Sequence, residues 1–268
     1  MKDRNRLNIK HLVLISAFAV LFFSTCSSYK EVRSYYRQDI PEIDAMFRDW
    51  KQDFKFDEKN NLYFLVSNDE DNLYFAMKTQ NIDLQRKIMM FGMKVWIDNT
   101  GDHKKKMAVH YPLPDRNKKP PAQTGDNRVP QKIEDYSYRQ DKRLNQIELL
   151  GFGNEREIIN KLSNPSINAE IKTVGSNYLA YELKIPLDEL SVKPDTTHPI
   201  SIGIETGYLE DRNRQPENYN RSRGNRGGIY GGNYGRYNQM SSYSSHRRVS
   251  EMMTPTKLWL KQVYLSKH

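Results

Sequence analysis

The chain has one cysteine, Cys26, so no intramolecular disulfide can form and the fold must rest on its core. It has no apolar run of the roughly 20 residues that a membrane-spanning helix needs. It also lacks a Gly-x-Ser-x-Gly elbow, a His-Glu-x-x-His helix and a phosphate-cradling glycine loop. These absences remove the common signatures of serine hydrolases, zinc peptidases and nucleotide binders. Only three Trp are present, but Tyr numbers 17 and Phe 10, a balance that favours strands.

The shorter apolar run that does occur is informative. Lys2, Arg4, Arg6 and Lys10 precede Leu12–Phe23, which only Ser16 interrupts. About a dozen apolar residues behind a basic start fit a signal peptide rather than a span. The run ends at Phe23-Ser24-Thr25-Cys26, small residues just before the lone thiol, which resembles a lipoprotein signal of the loose Bacteroidetes type. The reading is a signal peptide over 1–25, a diacylated Cys26 with a tether over 26–39, and a cell-envelope protein held by its lipid, at the outer membrane.

The formal charge of +9 raises the possibility of nucleic-acid binding until the charges are located. The signal peptide holds four of them. Arg212, Arg214, Arg221, Arg223, Arg226, Arg236, Arg247 and Arg248 stand against Glu217 alone, which leaves the rest of the mature chain near neutral. A globally basic surface is excluded and no nucleic-acid partner is expected, all the more so after export. The Arg/Gly/Tyr-rich stretch reads as an inserted loop.

One domain is expected over 40–268, with insertions at about 112–143 and 212–250. A turn or short helix carries Phe47 and Trp50. Asn61–Val66 and Leu73–Met77 read as a hairpin around Ser67–Asn72. Met93, Val95 and Ile97 alternate with Lys94, Trp96 and Asp98, and Asn99–Asp102 turns the chain into Lys106–Tyr111. Strands are expected at Gln146–Phe152, Ile167–Val174, Tyr178–Ile185, Ile200–Ile204 and Lys257–Leu265, a short helix at Glu155–Leu162, and a helical turn at Pro186–Leu190. Short strands with only fragments of helix predict an all-β, two-sheet antiparallel β-sandwich.

The order of these pieces resembles the family 9 carbohydrate-binding modules and the related DOMON-like sandwiches. The matching segments are Ile43-Asp44 with Trp50, Asn68–Tyr74, Val95-Trp96-Ile97-Asp98 with Gly101, Tyr181–Leu187 and Trp259, together spanning Ile40 to Tyr264. The resemblance implies a sandwich that binds carbohydrate without catalysis. The two insertions depart from the pattern, and the sequence places no pair of Trp to enclose a sugar, so the fold carries over better than the activity.

Trp50, Trp96 and Trp259 are the natural stacking candidates; Trp50, in the entry segment, and Trp259, in a strand, read as core, and Trp96 is preferred because alternation sets it opposite the Met93/Val95/Ile97 face, beside Lys94 and Asp98. Asp69, Glu70 and Asp71, with Asp98 and Asp102, are oxygen-rich, but neither group has the spacing of a calcium loop, and acidic residues in turns are usually solvated. Relatives of the sandwich that bind haem use Met and His. Met77, Met89, Met90, Met93, His103 and His110 lie in the relevant stretch, though Met in strands ordinarily fills core. No cofactor is expected. Three functions remain: a non-catalytic glycan binder, which should show an exposed aromatic platform; an interaction subunit of an envelope complex, which should show a broad patch; and a hydrolase or redox protein, which should show convergent titratable groups.

Overall fold

The computed structural model describes residues 31–114, 142–163, 165–175, 178–208 and 251–268. Cys26, most of the 112–143 insertion and the Arg/Gly/Tyr-rich stretch lie outside them. Among the described residues thirteen strands, numbered in chain order, form two sheets. The seven-stranded sheet runs β1 (Val32–Arg33), β13 (Lys257–Tyr264), β12 (Ile200–Thr206), β6 (Met93–Asp98), β7 (Met107–His110), β8 (Gln146–Phe152) and β9 (Asn154–Asn160). The other runs β10 (Asn168–Val174), β11 (Tyr178–Pro186), β5 (Asn72–Thr79) and β4 (Leu62–Asn68). Both β2 (Tyr35–Tyr36) and β3 (Lys55–Asp57) pair with the far edge of β4.

Alternation explains the layering. Leu62, Phe64 and Val66 of β4, Phe75 and Met77 of β5, and Tyr181 and Leu183 of β11 point inward. They meet Met93, Val95 and Ile97 of β6, Val109 of β7, Ile202 and Ile204 of β12, and Leu258 and Leu260 of β13 in one buried cluster. Burying a side chain of this size contributes about 1.5–3 kcal/mol, which is how a chain without disulfides holds two sheets together.

Four features differ from the sequence expectation. The sheets are not strictly antiparallel, because β1 pairs β13 and β2 pairs β4 in parallel. Both short strands lie in the stretch expected to be tether, so among the described residues pairing is already present at Val32. The expected helix over Glu155–Leu162 is instead β9, followed by a single 3-10 turn at Lys161–Ser163. Gly153, at φ 72°, folds the chain straight back so that Phe152 faces Asn154, and residues 154–160 then cover the open edge of β8. Cross-strand pairing thus overrides a local sequence that suits a helix. The hairpin loop shrinks to Asp69–Asp71, where the Asp69 carboxylate accepts the N–H groups of Asp71 and Asn72 and the hydroxyl of Tyr74.

The fourth feature is the helix α1 (Ile82–Phe91), which closes one end of the sandwich with Leu84, Ile88 and Met89 in the core. The Asn81 side chain caps it by accepting from the N–H groups of Asp83 and Leu84. Gly92 ends it at φ 80°. A Cβ there would stand 2.5 Å from the Pro112 carbonyl oxygen and 2.6 Å from Nε2 of His110, so only glycine fits.

The outer side of the six-stranded sheet is covered. Ile43, Phe47, Trp50 and Phe54 lie on Leu65, Tyr74 and Ala76. The cover is fastened by Glu182, a fully buried carboxylate on β11 that accepts the N–H groups of Asp44 at 2.8 Å, Ala45 at 2.9 Å and Phe47 at 3.3 Å. Ala45 and Phe47 both adopt positive φ to aim those groups. Arg37 adds a clamp, donating to the Asp49 carbonyl at 2.7 Å with its guanidinium 5.0 Å from the Trp50 ring centre. Among the described residues, no matching apolar cluster forms on the outer side of the seven-stranded sheet.

Candidate functional site

That face, without an apolar cover among the described residues, is built from the outward residues of β6, β7, β8, β9, β12 and β13. Register sets them in rows. One row runs Trp259, Gly203, Trp96, Ala108, Leu150 and Arg156; the next runs Lys257, Glu205, Lys94, His110, Glu148 and Ile158. Trp96 is therefore half-buried on an open face, as alternation predicts, with two of the smallest side chains, Gly203 and Ala108, directly beside it. The ring of Trp259 lies over Gly203, where a Cβ would stand 2.8 Å from its six-membered ring. Two indoles thus share a face across a single glycine, with their Cα positions two strand spacings, or roughly 10 Å, apart.

The Trp96 indole is held in place. Its Nε1–H donates to Oε2 of Glu205 at 2.9 Å, and Lys105 reaches the same oxygen at 2.5 Å while Lys257 lies 3.3 Å from Oε1. Burial pushes the Glu205 carboxyl up, but Lys105, the indole N–H and Lys257 outweigh it and hold the group below its ordinary value. The ammonium groups of Lys105 and Lys94 stand 5.3 and 5.8 Å from the Trp96 ring centre. Lys94 meets no carboxylate among the described residues.

One row along, His110 Nδ1 and Glu148 Oε2 are 2.5 Å apart, both groups are buried, and Arg156 takes the other oxygen of Glu148. Burial, helped by Lys94 and Arg156, draws the His110 imidazole below its usual range against the pull of Glu148. Both carboxylate oxygens are thereby occupied, and the dyad fixes the row beside Trp96.

The remaining sequence candidates separate by placement. Asp98, expected beside Trp96, is buried and turned into its own loop, where it accepts from Thr100 N, Thr100 Oγ1 and Lys104 N and pairs with Lys106 at 3.3 Å. Those bonds outweigh the desolvation cost of its burial and hold its carboxyl well below the usual range. Buried and committed to these partners, it presents no exposed oxygen beside the Trp96 ring. Asp102 is exposed and pairs with Lys104 at 2.8 Å, while Asp69 organises the β4–β5 turn, and Asp71 stands exposed at the tip of that turn. Among the described residues, no three acids, His or Cys converge as a metal site. Met77, Met89 and Met93 are core, Met90 is half-buried on α1, and His103 lies by the Lys261 carbonyl at 3.1 Å.

Sequence reasoning missed Glu205, Lys105 and Lys257, and set Trp259 aside as core, although its ring lies over Gly203 on the same face as Trp96. The alternation Ser201, Gly203, Glu205 against Ile202 and Ile204 carried the signal for Glu205. The meeting of Trp259 with Trp96 depends on strand order, which alternation does not encode. A cleft of about 510 Å³ opens beside this face, at the start of α1, lined by Asn60, Asn81, Asp83, Lys87, Thr254 and Lys257. Lys87 is buried there and donates to Thr254 O and Thr256 Oγ1; burial lowers its pKa.

No family model matches the sequence, and no curated protein matches it significantly. Solved structures do. A family 9 carbohydrate-binding module from Caldicellulosiruptor kristjanssonii, in complex with glucose, is 11% identical with a TM-score of 0.34, over 66% of this chain and 78% of that one. The same organism's module with cellotriose gives 13% identity and 0.33, over 66% and 76%. A Bacteroides uniformis protein assigned to carbohydrate binding gives 8% and 0.35, over 66% and 83%.

Proposed function

We propose that this chain is a lipid-anchored protein of the bacterial cell envelope, held at the outer membrane by Cys26, whose sandwich binds carbohydrate without catalysis on the outer face of the seven-stranded sheet. The observation that carries the reading is Trp96. An indole held by a hydrogen bond from its own edge, flanked by Gly203 and Ala108 on a sheet face that no apolar cluster of the described residues covers, is a flat apolar surface for the C–H face of a pyranose. Charged groups around it supply hydrogen bonds to hydroxyls. The His110–Glu148 dyad, with both carboxylate oxygens occupied, supports the face rather than a reaction. The domain plan is a signal peptide over 1–25, a short lipidated tether and a single sandwich.

A glycan array probed with the detergent-purified full chain and with W96A tests this. Saccharide binding that the variant loses agrees with the proposal; binding unchanged in a folded W96A removes Trp96 from the site.

One observation favours a second reading, contact with another envelope protein. Phe56 and Tyr63 form an exposed cross-strand pair at the edge of the other sheet, their rings 4.6 Å apart with Lys78 5.5 Å from the Tyr63 ring. A Y63A variant that keeps glycan binding but loses a co-purifying envelope protein would locate that contact.

A further inference from the structure

The charges on the Trp96 face are unequally exposed. Its two carboxylates are sunk, with side chains 17% exposed for Glu205 and 9% for Glu148. Its cations stand out, at 45% for Lys105, 52% for Lys257 and 49% for Arg156. Each oxygen of both carboxylates already has a partner, Glu205 with Trp96, Lys105 and Lys257, and Glu148 with His110 and Arg156. Lys94, between the two acids on the same row, has the Trp96 ring but no carboxylate among the described residues. A ligand approaching this face meets ammonium and guanidinium groups first. The acids behind them position those groups without presenting negative charge.

We infer that the saccharide bound at Trp96 is anionic, a polymer of uronic acid residues whose ring stacks on the indole while its carboxylate meets Lys94 and the exposed Lys105. This deepens the carbohydrate reading and rests on it. The indole selects a ring with an apolar C–H face, and the ring-borne carboxylate supplies Lys94 with a counter-charge that no described residue gives it. A neutral sugar would offer none, so the discrimination is electrostatic and falls with salt.

The test compares polygalacturonate with its fully methyl-esterified form, the same backbone without charge, by calorimetric titration of the detergent-purified full chain. The expected result is binding on the order of tenfold tighter for the acid, lost as salt is raised, with K94M narrowing the ratio. The comparison of ligands uses the unaltered protein and stands even if a variant misfolds. Equal affinity for acid and ester, or binding only of neutral glucans, each lost in W96A, overturns the anionic assignment and leaves the carbohydrate reading intact. Failure to bind any saccharide overturns both. Single-stranded DNA or anionic phospholipid vesicles bound as tightly as polygalacturonate would mark a general polyanion surface and overturn the saccharide class.

Discussion

Glu182→Ala tests why the site lies on one sheet and not the other. Glu182 is fully buried, and its two oxygens accept three backbone N–H groups from the segment that covers the six-stranded sheet. An orphaned buried N–H costs about 1–3 kcal/mol, and these three belong to a surface segment that can relax toward water, so the expected loss is at the low end of their sum, about 3 kcal/mol. Glu182→Gln keeps one carbonyl oxygen for Asp44 and Ala45 but turns an amide toward Phe47, at an expected cost of about 1 kcal/mol. Burial raises the Glu182 pKa above its ordinary value despite the three N–H groups. A group raised in the folded state adds stability below its unfolded pKa and loses it as pH rises through the folded one, so the Gln penalty should be larger in mild acid than at neutral pH. Denaturant unfolding gives the energies, and hydrogen exchange shows whether residues 41–54 open while β5 stays protected. An Ala variant within about 0.5 kcal/mol of wild type, with unchanged exchange, would refute the fastening argument and return the other face as a candidate.

Trp96→Ala should weaken saccharide binding by about 1–3 kcal/mol while costing less stability than the 3–5 kcal/mol of a core Trp; titration and unfolding on one variant separate the two. Asp98, Glu148 and Glu205 all have depressed folded pKa values, so their contribution is present above the unfolded values and lost as pH falls through the folded ones. Asp98→Asn should therefore flatten acid unfolding followed by circular dichroism, and an unchanged acid profile would contradict it. Cys26→Ala should abolish fatty-acid labelling and release the chain from membranes; label retained in the variant would sink the anchor. Replacing Asn213–Ser245 by a short linker should leave the unfolding midpoint close to wild type, because Glu205 and Lys257 already face each other across β12 and β13. A fall of many degrees would show that the segment packs on the sandwich.

Period-2 alternation was enough to read the long strands and to put Trp96 on the outward side of β6, because a strand with one apolar face announces its orientation locally. The same rule misled at Asp98, which alternation sends outward but which the Asn99–Asp102 turn draws back into its own hydrogen bonds. Helix α1 went unread although Asn81, Asp83 and Gly92 mark both of its ends. The charged residues of β9 suit a helix locally, and only the edge of β8 that they pair with decides otherwise. The parallel strands β1 and β2 are two residues each, too short for any period to show. The bonds of Glu182 to Asp44, Ala45 and Phe47 span more than 130 positions in the chain, a distance that no local pattern encodes.

If Cys26 carries the proposed lipid, the two short parallel strands limit how far the domain can stand from a bilayer. Val32 pairs with Val263 on one sheet, and three residues later Tyr35 pairs with Ser67 on the other, so the chain is stitched to both sheets at the start of the described residues. With lipid on Cys26, Ser27 to Glu31 are all that separates acyl chain from sandwich. Five residues at full stretch reach roughly 17 Å, about half the thickness of the hydrocarbon layer itself. If Cys26 carries the proposed lipid, so short an anchor would hold the domain close to the headgroups, where it could sample only polymers that come to the membrane. Pull along the anchor would then enter the domain at β1, whose parallel partner β13 belongs to the sheet that carries Trp96, before it reached β2.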